Sequence, residues 1–134
     1  MFNYSAALVT IATVDFDRLL NFYSVLLQQA PQPYQPNVYG GFKITGLDLG
    51  IFKPKASNTA EFGQQQGGGA ISLCLSVDSL EIALAHLANA GYPQTTTVLT
   101  ASHGRELYIY DPDGNRIILH QGIELTSSIP SESL

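Results

Sequence analysis

The chain is poor in charge, poorer still in basic residues, and has almost no cysteine. Six Lys and Arg stand against eleven Asp and Glu, a formal net charge of −5 over 134 residues. The six are scattered, so there is no basic stripe to displace counterions from a phosphate backbone, and the sequence argues against nucleic-acid binding. Charged residues make up 13%, against roughly 25% in a typical soluble domain; so lightly charged a surface points to partial cover by a second subunit. The single cysteine, Cys74, excludes an intrachain disulfide and fits a reducing compartment. No apolar run approaches the ~20 residues of a membrane helix. The N-terminus also lacks a basic region, apolar run and small-residue cleavage site, so no signal peptide is read. Together these absences predict a soluble, cytoplasmic protein. Its mild acidity suits a cationic small ligand, and serves solubility equally well.

What is present is globular. Hydrophobic residues are 45% and aromatics 10% of the chain, enough for one domain that buries roughly two-thirds of its unfolded surface. The segment ALVTIATV (7–14) reads as a strand. Asp15 follows as a helix N-cap, and Leu19, Leu20, Phe22, Tyr23, Leu26 and Leu27 recur at helical spacing up to Ala30-Pro31. The plan then repeats. AISLCLSV (70–77) alternates, with Ile71, Leu73, Leu75 and Val77 on one side and Ser72, Cys74 and Ser76 on the other. Asp78 or Ser79 caps a helix through LEIALAHLANA, which Gly91 and Pro93 end. The pairs Val14-Asp15 and Val77-Asp78 stand 63 residues apart. Strand-like stretches follow each helix: NVYGGFKIT and LDLGIFKP after the first, TTTVLTAS, ELYIYD and NRIILHQ after the second. Each half is therefore strand, helix, then two or three strands. The polar KASNTAEFGQQQGGGA stretch between them has no periodicity and reads as a flexible connector. Its glycine run is no phosphate loop, since no Lys-Ser/Thr follows. The Ser-rich tail from residue 123 reads as frayed.

These residues resemble the vicinal-oxygen-chelate family of glyoxalase I, extradiol dioxygenases and bleomycin-resistance proteins. The likeness rests on Asp15-Phe16-Asp17-Arg18 leading to Phe22-Tyr23 and Leu27, on Val77-Asp78, and on Gly104-Arg105 followed by Tyr108 and DPDGNRIIL. It spans about residues 6–122. The resemblance implies an α+β fold of two tandem βαβββ modules whose sheets curl into an open mixed barrel with helices outside. It divides the chain into module one (about 6–54), a connector (55–69), module two (about 70–122) and a tail (123–134). It also implies a binding site on the concave face, commonly in a homodimer.

Metalloenzymes of the family carry one ligand on each of four strands. By position these fall on Leu8, Gly50, Ser72 and Ile118 in this chain. Leu, Gly and Ile offer no donor atom and Ser is a poor one. Slipping the register by one gives Val9, Leu49, Leu73 and Leu119, which are no better. The chain is thus expected to be a member that lacks the usual metal ligands, with no cofactor, and the family's Lewis-acid chemistry has no engine at those positions. His86 reads as solvent-facing on the second helix, and His103 as a loop residue. His120, two residues past Ile118, shares its face and reads either as a rim histidine hydrogen-bonded to a neighbour or as part of a site. Cys74 is either a pocket thiol or an inert core residue.

Alternation sketches the concave face. It takes Leu8, Thr10 and Ala12; Asp48, Gly50 and Phe52; Ser72, Cys74 and Ser76; Glu106, Tyr108 and Tyr110; and Arg116, Ile118 and His120. The opposite face is uniformly apolar and belongs under the helices, with Phe22 and Tyr23 in the core. The mixed face suits a small-molecule pocket, apolar with sparse polar anchors. Its candidate lining is Phe52, Ser72, Cys74, His103, Glu106, Tyr108, Tyr110, Arg116, Ile118 and His120. With no tryptophan in the chain, Tyr39, Phe52, Tyr108 and Tyr110 are the rings left for an aromatic ligand. The expected function is metal-independent binding of a small organic molecule. The alternatives are an enzyme using Glu106, His103, His120 and Tyr108 as a non-standard acid–base or metal site, or a structural or regulatory dimer subunit.

Overall fold

The computed structural model describes residues 2–63 and 69–122. The tail from 123 and part of the connector, 64–68, lie outside the described residues. The chain divides into two compact units, residues 1–64 and 65–134.

In the first unit, β1 (Val9–Ala12) leads to α1 (Phe16–Leu27), then β2 (Tyr34–Gln35), β3 (Tyr39–Ile44) and β4 (Leu47–Phe52). Its sheet runs β1-β4-β3-β2, with β1 parallel to β4 and the other pairs antiparallel. Helix α1 buries Phe16, Leu19, Leu20, Phe22 and Tyr23 together with Phe42, Leu49 and Ile51 from the sheet. Each such side chain, taken fully out of water, contributes about 1.5–3 kcal/mol. The helix ends at Leu27 because Gln28 turns left-handed at φ 55. The amide of Gln28 then bonds Val25 O and that of Gln29 bonds Ser24 O, closing the last turn. Asp15 precedes the helix but does not cap it with its side chain, contrary to expectation. Its carboxylate pairs with Arg18 at 3.2 Å instead, and its amide donates to Thr13 Oγ1.

The second unit repeats the order: β5 (Leu73–Ser76), α2 (Leu80–Asn89), β6 (Leu99–Ala101), β7 (Gly104–Tyr110) and β8 (Arg116–Gly122). Its sheet runs β5-β8-β7-β6, again with the first pair parallel. The fold is therefore α+β, with two four-stranded mixed sheets, neither closed on itself. Ser79 caps α2, its Oγ accepting from Ile82 N–H at 3.2 Å. A second anchor comes from the sheet: Gln121 Oε1 accepts from Leu80 N–H at 2.8 Å. Arg105 joins Glu81 by two 2.8 Å bonds and also reaches Gln121. Behind these ties Leu80 and Leu87 pack out of water with Leu107, Ile109, Ile117 and Leu119. β6 is short, and beyond it the Gln94 side chain makes both hydrogen bonds to the Tyr110 backbone in a strand's place.

The ladders give the repeat its register. Thr13 N–H bonds Phe52 O as Val77 N–H bonds His120 O. Val9 opposes Leu49 as Leu73 opposes Ile117. The offset is thus 64 residues for the first strands and helix caps, so Asp15 matches Ser79; the 63-residue spacing of the Val-Asp pairs is one short. Ile71 is also corrected. It precedes β5, which starts only where Ile117 offers a partner, and its side chain is exposed. The connector is not wholly irregular, since Ala56–Phe62 form a 3₁₀ helix.

Candidate functional site on the second sheet

Residues directly opposed in a ladder share a face. Cys74 opposes Ile118, Ser76 opposes His120, and β7 sets Glu106 against His120, Tyr108 against Ile118 and Tyr110 against Arg116. These side chains all project from the face opposite α2. The expected lining residues of this unit are thereby on one surface, with Ser72 just ahead of β5.

Glu106 and His120 are its unusual members. They stand directly across the β7–β8 ladder, 7% and 1% exposed. Glu106 Oε2 and both ring nitrogens of His120 are buried without a hydrogen-bond partner among the described residues. Of the two readings of His120, the hydrogen-bonded rim residue is not what the structure places here: the ring is buried and makes no hydrogen bond among the described residues. Leaving such groups unpaired costs about 1–3 kcal/mol each, more for a charge. His103, in the turn between β6 and β7, lies nearly parallel to His120, the ring centroids 5.5 Å apart. Gly104 pairs closely with Gly122 where β7 begins, and a Cβ on Gly104 would strike Gln121 O. Cys74 is half-buried, and burial, aided by the negative charge of Glu106, pushes its thiol pKa up while Arg116 opposes this. It is thus not poised as a thiolate.

Below the site, the Asp111-Pro112-Asp113-Gly114-Asn115 turn is held by a buried carboxylate. Asp111 Oδ1 accepts from the amides of Asp113 and Asn115 at 2.9 Å, and Oδ2 from Asn115 Nδ2 at 2.8 Å. The acid that marks the motif is thus structural, and it delivers Arg116, Ile118 and His120 to the face in register.

At the four positions that the family resemblance implies for metal ligands, the side chains present do not fit a metal. Leu8 is exposed and Ile118 buried, and neither carries a donor. Gly50 lies under the Tyr39 ring: a Cβ there would fall 2.6 Å from the Tyr39 hydroxyl. The Oγ of Ser72 is taken, accepting from Arg116 Nε at 2.7 Å, while Arg116 Nη2 donates to Gly69 O at 2.8 Å. A guanidinium thus occupies the one position with an oxygen to offer. Among the described residues, no three or more His, Cys, Asp and Glu are grouped to hold a metal ion. His86 is exposed on α2, as expected.

On the first sheet, Tyr39 opposes Phe52 just as Glu106 opposes His120 on the second. Phe52 meets Phe62 of the 3₁₀ helix edge-on at 5.3 Å. Sequence reasoning missed Phe62, because nothing in an aperiodic connector says where its ring will fold. The Ser72–Arg116 bond follows from the ladder rather than from composition, since extending the Leu73–Ile117 register back by one residue sets Ser72 beside Arg116.

The chain belongs to the Glyoxalase/Bleomycin resistance protein/Dioxygenase superfamily, whose family model it matches over residues 6–119. Solved structures share the fold at low identity. A glyoxalase/bleomycin resistance protein from Catenulispora acidiphila is 22% identical with a TM-score of 0.65, covering 89% of this chain and 100% of that one. A glyoxalase-related enzyme from Fulvimarina pelagi is 18% identical with a TM-score of 0.68, covering 89% of each chain. The fosfomycin resistance protein FosX from Listeria monocytogenes is 17% identical with a TM-score of 0.67, covering 91% of this chain and 96% of that one. No curated protein matches the sequence.

Proposed function

We propose that this chain, as a single glyoxalase-like domain, binds a small organic molecule on the helix-free face of its second sheet, with no metal at the family's positions. One observation carries the reading. At the four positions the side chains are Leu8, Gly50, Ser72 and Ile118, and the only donor among them is engaged by Arg116. Support for a ligand comes from the mixed face itself: buried unpaired Glu106 and His120 beside exposed Tyr108 and Tyr110, an apolar surface with sparse polar anchors. Binding would serve sequestration, resistance or sensing. The fold shared with fosfomycin resistance proteins favours resistance. The low charged content supports a homodimer, and the single cysteine a cytoplasmic location.

A second reading follows from Glu106 facing His120: an enzyme of lyase, isomerase or dioxygenase type in which the pair exchanges protons with substrate. A fragment library screened by thermal shift on chelator-treated protein tests the leading reading. Fragments that stabilise the protein in chelator, without being converted, are the expected result. Hits that need an added divalent ion, or no hits, would overturn it.

A further inference from the structure

We propose that the Glu106–His120 pair recognises a protonated primary amine on a ligand with an aromatic or apolar body. The inference rests on the reading that this face holds a ligand, and it names the chemical class. A carboxylate only accepts hydrogen bonds, and a neutral imidazole accepts at one nitrogen. The pair therefore presents two acceptors on directly opposed residues, Glu106 Oε2 and a ring nitrogen of His120, both buried and without a hydrogen-bond partner among the described residues.

Among the described residues, no donor reaches Glu106 Oε2. Of the six basic residues, Arg18 pairs with Asp15, Arg105 with Glu81, and Lys53 reaches Asn37. Arg116 shares the face but points its guanidinium to Ser72 and Gly69. Glu106 instead adds its negative charge to the surroundings of Cys74.

An ammonium group carries three donors and the opposite charge. It satisfies both acceptors, whereas a hydroxyl supplies a single donor and a carboxylate is repelled. Beside the pair, Ile118 and Cys74 give a neutral wall. Tyr108 and Tyr110 follow Glu106 along β7 on the same face, 37% and 42% exposed, and their rings suit an apolar body and a cation held over a π face. His103, stacked on His120, is the group the ligand displaces.

The test uses the full chain, isotope-labelled, with 2-phenylethylamine, 2-phenylethanol and phenylacetate as probes. Salt near physiological strength suppresses diffuse attraction to the acidic chain. The readouts are the ring-proton NMR signals of His103 and His120 and the dissociation constants from their titration. The expected result is that the amine binds at least tenfold more tightly than the alcohol or the acid and moves both histidine signals. Glu106→Gln should erase that preference, while the surface control Glu81→Gln should leave it intact. Because Glu106→Gln removes an unpaired buried charge, the unliganded variant should melt no lower than the parent. If it fails to fold, the three-probe comparison on the parent protein decides. Equal or tighter binding of the alcohol or acid, or an amine preference that survives Glu106→Gln, would overturn the amine class while leaving small-molecule binding in place. If neither the probes nor the fragment library bind, both readings fall.

Discussion

Replacing Gly104 by Ala tests what seats the His103 ring against His120. Gly104 has φ +140, a conformation that costs a side-chain-bearing residue about 1–3 kcal/mol. The added Cβ would also meet Gln121 O, with Gly122 Cα at 3.0 Å and Gln121 C at 3.1 Å. These are backbone atoms of a paired strand and cannot swing aside, so overpacking adds about 1–3 kcal/mol. Gly91 is the control: it too has positive φ, +94, but nothing lies within 4 Å of its missing Cβ. Gly91→Ala should cost about 1–2 kcal/mol from backbone strain alone. With a urea m-value of about 2 kcal/mol/M, Gly104→Ala should lower the unfolding midpoint by about 1–3 M and Gly91→Ala by under about 1 M. The same change should lift His103 away from His120, moving both ring-proton NMR signals toward unstacked values. Equal midpoints for the two variants, or unmoved histidine signals in Gly104→Ala, would show that the close approach to Gln121 does not hold the turn.

Other outcomes follow from the same contacts. Asp111→Ala strips the acceptors from two turn amides and should cost about 2–4 kcal/mol, a drop in Tm of about 8–16 °C, with Asp111→Asn losing less. Gly50→Ala should displace the Tyr39 ring at a cost of about 1 kcal/mol, read by thermal melting and by the Tyr39 ring signals. The Arg105 hydrogen bonds hold Glu81 well below its ordinary range, at about 2. The unfolded chain therefore binds a proton there first, so this contribution is intact above about pH 4.5 and is lost as pH falls toward 2. Urea midpoints at pH 5.5 and pH 3 should separate more for the parent than for Glu81→Gln.

Much of the fold is readable along the chain. Alternation in β5, β7 and β8 sorts the apolar face from the mixed one, and the helical spacing of Leu19, Leu20 and Tyr23 marks the buried side of α1. The two-residue strand β2 went unseen because prolines at 31, 33 and 36 surround it and leave no run to alternate. The end of α1 was misplaced because Gln28 adopts a left-handed conformation that its identity does not announce. The Val-Asp pairs give an offset one residue short because Asp78 precedes the capping residue, whereas the ladder matches Asp15 to Ser79. For the site, alternation shows which side chains share a face. It does not show which of them lack partners, because that depends on what the rest of the fold lays over them. His120 illustrates the gap: its face was legible, its isolation and its stack with His103 were not. Tyr39 over Gly50 is similar, since a cross-strand neighbour is fixed by register and a rotamer, neither of which composition reports.

A scaffold with Leu8, Gly50, Ser72 and Ile118 where the family resemblance implies metal ligands should hold no metal there. Elemental analysis of protein purified without chelator, followed by calorimetric titration with Ni²⁺, Zn²⁺, Fe²⁺ and Mn²⁺, addresses it most directly. No stoichiometric metal should accompany the purified protein, and none should bind tightly and saturably on addition. One equivalent of tightly held metal per chain, lost in His120→Ala or Glu106→Gln, would contradict this and make the buried pair a metal centre.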